Sequence, residues 1–146
     1  MIKLVDILKE ALPHNNEVFS AYNGRYLLDI TQAYKLIKAG KIKTIEKTYT
    51  PDKMYFLSHP ELQAADPNKY KKLEIDYTKP IGLIANIEDP ENGKKEWMLI
   101  DGNHRTRKAV EDNQEAKYTV ITNPEDVKKF MTFNPEKPHE LFPDDE

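Results

Sequence analysis

Trp97-Met98-Leu99-Ile100-Asp101-Gly102-Asn103-His104-Arg105-Thr106-Arg107-Lys108-Ala109 is the stretch from which the rest of the chain is best understood. Its four apolar residues predict a buried strand, Asp101-Gly102-Asn103 predicts a sharp turn, and the remainder predicts a short helix. That helix opens with Arg105, Arg107, Lys108 and a histidine, His104. The aligned peptide dipoles and unpaired N–H groups of a helix N-terminus already carry partial positive charge, so acidic residues are what normally stabilise the first turn. Each cation placed there costs ~0.3 to 1 kcal/mol. A bound phosphate would reverse the sign, because it would meet backbone donors, the dipole and at least one guanidinium together.

On either side of this stretch the signals alternate between strand and helix. Pro80-Ile81-Gly82-Leu83-Ile84-Ala85-Asn86-Ile87 predicts a strand entered through proline, and Asp89-Pro90-Glu91-Asn92-Gly93 predicts a hairpin loop. Glu96 to Ile100 then pairs back antiparallel. The cationic helix runs from Asn103 to about Asp112 and a further strand covers Lys117 to Ile121. A last helix starts at Asn123-Pro124-Glu125-Asp126 and carries Val127, Phe130 and Met131. Upstream, Leu4, Leu8, Ala11 and Leu12 predict a helix from Ile2 to Leu12, ended by Pro13. Glu17 to Leu28 gives mixed signals around an Asn23-Gly24 turn. Asp29 or Thr31 can cap the next helix, Ala33, Leu36 and Ile37 form its apolar stripe, and Gly40 is its left-handed terminator. Lys43 to Tyr49 alternates as a partly exposed strand, and Met54 to Leu57 is a short apolar run. Ser58-His59-Pro60-Glu61 reads as a capping box and Asp66-Pro67 as another helix start. The run Lys69-Tyr70-Lys71-Lys72 is either a solvated face or a polyanion contact with Tyr70 as a stacking ring.

Composition bounds these readings. At 146 residues the expectation is a single α+β domain over residues 1–133, a small mixed β-sheet with flanking helices, followed by an acidic, proline-containing tail over 134–146. The net charge of −3 restricts any nucleic-acid footprint to a local patch, so a nucleic-acid partner is not favoured. There is no cysteine, which removes disulfides, thiolate metal sites and cysteine nucleophiles. No stretch approaches the ~18 apolar residues of a membrane span, so no membrane partner is expected and the expected setting is the cytoplasm. His14, His59 and His139 lack metal-ligand spacing, and no structural metal is assigned.

The order Lys79-Pro80-Ile81-Gly82-Leu83-Ile84, a hairpin, Leu99-Ile100-Asp101-Gly102-Asn103-His104-Arg105-Thr106-Arg107-Lys108-Ala109 and a strand at Tyr118-Thr119-Val120-Ile121 resembles the ParB/sulfiredoxin superfamily. The resemblance covers residues 79–121, and residues 1–78 match no family named here. It implies a ParB/sulfiredoxin-like fold, a bacterial or phage-encoded setting, and a Gly-x-x-Arg box that binds nucleotide phosphates. Carried over, Gly102 is the box glycine, Asn103 and His104 are the intervening positions, Arg105 holds a phosphate bidentately and Arg107 matches a further arginine of many chromosome-partitioning members. Sulfiredoxins have their catalytic cysteine at the position of Asn103, so sulfinic-acid reduction is excluded. Partitioning proteins follow the box with a helix-turn-helix region; with 37 residues after Ala109, that role is not expected.

The expected cofactor is ATP or CTP, with Mg²⁺. Three functions follow: an NTP-dependent hydrolase or small-molecule phosphotransferase resembling free-serine kinases, a ParB-like nuclease acting on DNA, or a non-catalytic nucleotide-gated module with a protein partner. In the first, His104 is either an ordinary hydrogen-bonding residue or an acid/base group, and Asp101 either supports the turn or holds the divalent ion. Glu46, Glu74 and Asp76 are further candidate carboxylates, with no choice among them.

Overall fold

The computed structural model describes residues 17–57 and 67–134. The helix expected over Ile2 to Leu12, the capping box at Ser58, three of the four histidines and the acidic tail lie outside these residues. The chain is α+β, with one three-stranded and one four-stranded sheet. The described residues group by contacts into two compact units, one of residues 17–41 and 125–134, the other of residues 42–57 and 67–124.

In the first unit β1 (Val18–Ala21) and β2 (Tyr26–Asp29) form an antiparallel hairpin. Its turn places Tyr22, Asn23 and Gly24 in succession at φ 53°, 59° and 82°. Helix α1 (Ile30–Lys38) follows at once, and Asp29 caps it by accepting from the Gln32 amide at 3.0 Å. Its end matches the expected glycine signal: Gly40 takes φ 74°, its N–H donates to the Ile37 carbonyl, and the Lys41 N–H donates to that of Leu36. Met131, expected on the last helix, instead begins a strand. Helix α5 (Pro124–Val127) tightens into a 3-10 turn (Lys128–Phe130), after which β7 (Met131–Phe133) pairs antiparallel with β2. The apolar spacing of Val127, Phe130 and Met131 suits one helical face. Backbone pairing to the open edge of β2 overrides that local preference.

The second unit holds β3 (Ile45–Tyr49), α2 (Pro51–Leu57), α3 (Pro67–Tyr70), β4 (Gly82–Glu88), β5 (Lys95–Asp101), α4 (Asn103–Glu111) and β6 (Ala116–Ile121). Its sheet order is β3-β6-β4-β5; β4 and β6 are parallel and the other pairs antiparallel, so the sheet is mixed as expected. One face carries Ile84, Leu99, Tyr118 and Val120, which pack with Ile81, Ala116, Ala109 of α4 and Met54 of α2. Full burial of each large apolar side chain contributes about 1.5–3 kcal/mol, so this face is the main source of stability for the unit. The run Met54 to Leu57, read as a bare apolar stretch, is the end of a helix that Pro51 opens. Because β5 runs opposite to β4 and β6, it ends where those two strands begin, and the turn after β5 meets the start of β4.

Candidate functional site

The turn at residues 101–105 is built by a close approach of two glycines. Gly102 has φ 92°, a left-handed conformation, and a Cβ there would collide with the Ile81 carbonyl and lie 2.7 Å from Gly82 Cα. A Cβ on Gly82 would lie 2.6 Å from the Asp101 carbonyl oxygen and 3.0 Å from the Tyr118 ring. Each position therefore requires glycine, because backbone rather than a flexible side chain occupies the space. A bulge contributes as well: Leu83 pairs with Asp101 and Ile84 with Leu99, which leaves Ile100 as the extra residue. Such a bulge redirects the side chain that follows it, here Asp101.

Helix α4 begins immediately after Gly102. Gly102 supplies no side-chain cap, and the first turn contains no acidic residue. Instead the cation problem seen in the sequence is met by spacing: each basic side chain pairs with an acid four residues away. Arg105 Nη2 lies 3.6 Å from Asp101 Oδ2, Arg107 Nη2 3.4 Å from Glu111 Oε1, and Lys108 Nζ 3.5 Å from Asp112 Oδ2. Exposed i,i+4 pairs contribute only ~0.2–0.5 kcal/mol apiece, so the Arg105 pair offsets part of the dipole cost, whereas Lys108, expected at the helix opening, lies in its last turn, where the dipole favours a cation. Arg105 is the more open member of its pair, 44% exposed against 18% for Asp101.

Of the expected site residues, Asp101, Gly102, Asn103, His104 and Arg105 are consecutive around this turn, with Asn103 and His104 half-buried. Arg107 is directed elsewhere. At about 100° per residue, two steps along a helix place Arg107 far round the axis from Arg105. Its guanidinium lies 5.8 Å from the centre of the Tyr70 ring and pairs with Glu111, to which the Tyr70 hydroxyl also donates at 2.8 Å. The Tyr70 hydroxyl and Glu111 raise the Arg107 pKa further above its ordinary value. Tyr70 is buried, so it anchors α3 on α4 and is not a stacking platform for a polyanion. The candidate carboxylates Glu46, Glu74 and Asp76 are exposed. The hydroxyl and amide of Thr78 hold the Asp76 carboxyl below the usual carboxylate range, which makes it a weak proton acceptor. Among the described residues, no group of three or more His, Asp or Glu is placed to hold a metal ion. Among them, too, no helix is long and apolar enough to cross a membrane.

One feature of the site had no clear sequence signal. Thr106 is buried, and its hydroxyl lies 2.8 Å from that of Tyr118, which in turn donates to Met54 Sδ at 2.8 Å. Tyr118 has one proton, so donating it to sulfur leaves Thr106 as donor to Tyr118. This polar chain ties the first turn of α4 to β6 and α2 through the core. Burial raises the Tyr118 pKa far above the ordinary tyrosine value, keeping the hydroxyl protonated. A polar Thr106 inside a run of charged residues reads as surface. Only its one-turn offset from Gly102 and its i,i+3 spacing to Ala109 hinted at the buried face.

Comparison with known proteins finds no matching family model, no matching curated protein and no matching solved structure.

Proposed function

We propose that the chain is a nucleotide-phosphate-binding domain of ParB/sulfiredoxin type, acting as an NTP-dependent hydrolase or small-molecule phosphotransferase. The observation that carries this reading is the start of α4: a left-handed glycine at the N-cap position, a first turn without an acidic residue, and the exposed Arg105 guanidinium beside it. These are the donors an anionic phosphate requires, and aligned N–H groups and an arginine fork bind it better than water does.

In this reading the amides of Asn103, His104 and Arg105 and the Arg105 guanidinium hold the phosphates. Asp101 is the counter-ion that Arg105 leaves when the phosphates arrive. Were Mg²⁺ to accompany the nucleotide, Asp101, the carboxylate of the turn, would hold it, and the ion would supply charge neutralisation on the phosphates. His104, beside the clamp, exchanges a proton with the acceptor or attacking water, since phosphoryl transfer is mostly positioning and electrostatic stabilisation. Arg107 is assigned to holding α3 on α4 and not to the nucleotide.

The test is phosphate release from magnesium ATP, CTP and GTP, with and without small hydroxyl-bearing acceptors. The expected result is turnover of at least one nucleotide, lowered roughly a hundred-fold in Arg105→Ala by loss of a transition-state donor. Tight binding without turnover would make the domain a nucleotide-gated module instead. Turnover unchanged in Arg105→Ala would overturn the assignment of the clamp.

A further inference from the structure

We propose that Asn23 is a site of spontaneous deamidation and isoaspartate formation, and that the fold shields the chain's second Asn-Gly step, Asn92-Gly93, from the same reaction. Glycine after asparagine leaves the following amide sterically open, so from sequence the two steps are equivalent. The structure separates them.

At Asn92-Gly93 both reacting groups are engaged. The Asn92 side-chain oxygen accepts from the Lys94 amide at 2.8 Å, and the Gly93 N–H donates to the Asp89 carbonyl at 2.8 Å. Asp89 is itself buried, and its carboxylate accepts from the Glu91 amide at 2.9 Å, which fixes the loop from below. Bringing the Gly93 nitrogen onto the Asn92 side chain therefore breaks two hydrogen bonds of a tied loop.

At Asn23-Gly24 neither group is engaged. Asn23 is exposed, and among the described residues neither its side chain nor the Gly24 N–H has a hydrogen-bond partner. Asn134 holds the Gly24 carbonyl at 2.7 Å, and the Arg25 N–H closes the turn on the Tyr22 carbonyl at 3.2 Å, but neither bond uses the Asn23 side chain or the Gly24 N–H, the two groups that react. The turn is also strained at the preceding residue, because Tyr22 occupies the left-handed region that bulky L-residues disfavour.

The Gly24 amide nitrogen attacks Asn23 Cγ. The N–Cγ bond forms, the bond from Cγ to the side-chain nitrogen breaks, and ammonia leaves carrying the amide proton. Water then opens the five-membered imide. Hydrolysis at Cγ gives aspartate; hydrolysis at the main-chain carbonyl gives isoaspartate. In isoaspartate an extra methylene enters the backbone between β1 and β2, next to the Ala21–Tyr26 pair.

The test incubates the full chain in mildly alkaline buffer made with heavy-oxygen water, folded and in concentrated urea, and maps both steps by peptide mass spectrometry. The expected result is label and isoaspartate at Asn23 at least about five-fold faster than at Asn92 in the folded chain, with the two rates converging in urea where the loop bonds are gone. Faster reaction at Asn92, equal rates in the folded chain, or the same ratio folded and unfolded would each overturn the proposal.

Discussion

Gly102 is the residue on which the geometry of the turn rests. Any side chain there meets the Ile81 carbonyl and the Gly82 backbone, and the left-handed φ adds strain. Gly102→Ala is expected to lower stability by roughly 2–4 kcal/mol, read from the urea midpoint; an unchanged midpoint would contradict the close approach. Tyr118 is the second decisive residue. Its hydroxyl stays protonated in the folded chain above pH 10.0, where an unfolded tyrosine loses its proton. The native state then binds more protons than the unfolded one, so the stabilisation is present below pH 10 and is lost as pH rises beyond it. Tyr118→Phe is expected to cost about 1 kcal/mol at neutral pH, because Thr106 loses its buried partner, and to flatten the alkaline limb of the stability profile. An equally steep limb in the variant would place that proton elsewhere. Gly102 was legible in the sequence because Asp-Gly-Asn behind an apolar run is a turn signal. The Thr106–Tyr118–Met54 chain was not, since it joins residues up to 64 apart.

At the scale of elements, α4 combines a start on a glycine, which brings no capping side chain, with a well-made end. Asn113 takes φ 53°, its N–H donates to the Val110 carbonyl, and the Gln114 N–H donates to that of Ala109, so asparagine fills the place glycine fills after α1. Asn113→Ala is therefore expected to cost about 1 kcal/mol in thermal or urea unfolding, while Asn113→Gly stays near neutral. A neutral alanine would contradict the left-handed cap. The helices and strands of residues 80–121 follow the sequence closely, because alternation, Asn-Gly and proline placement all agree locally with the final pairing. Strand β7 does not: Met131, spaced to continue the helical face of Val127 and Phe130, opens a strand instead because β2 offers an edge more than a hundred residues away in sequence. The basic residues of α4 are legible as cations, whereas their pairing with acids four residues away shows only once the helix is formed. Those pairs account for a cationic helix start without requiring a ligand, so the case for a bound anion rests on Arg105 and the acid-free first turn.

At the scale of the whole molecule, two small sheets serve different ends. The four-stranded sheet stabilises its unit through the buried face under α2 and α4 and brings the end of β5 against the start of β4, which creates the turn. The three-stranded sheet joins strands from both ends of the described chain. Sequence located the turn and its residues because the chemistry there is contiguous, from Asp101 to Arg105. It misplaced Arg107, because side-chain direction around a helix depends on what α3 presents, and no acceptor or base specificity was legible at all. The measurement that bears most directly on the central claim is calorimetric titration of the native chain and of Arg105→Ala with ATP, CTP and GTP in the presence of Mg²⁺. Saturable binding of at least one nucleotide, weakened in the variant by roughly ten-fold or more, is the expected result. No binding by the native chain, or equal binding by both, would contradict a phosphate clamp at the start of α4.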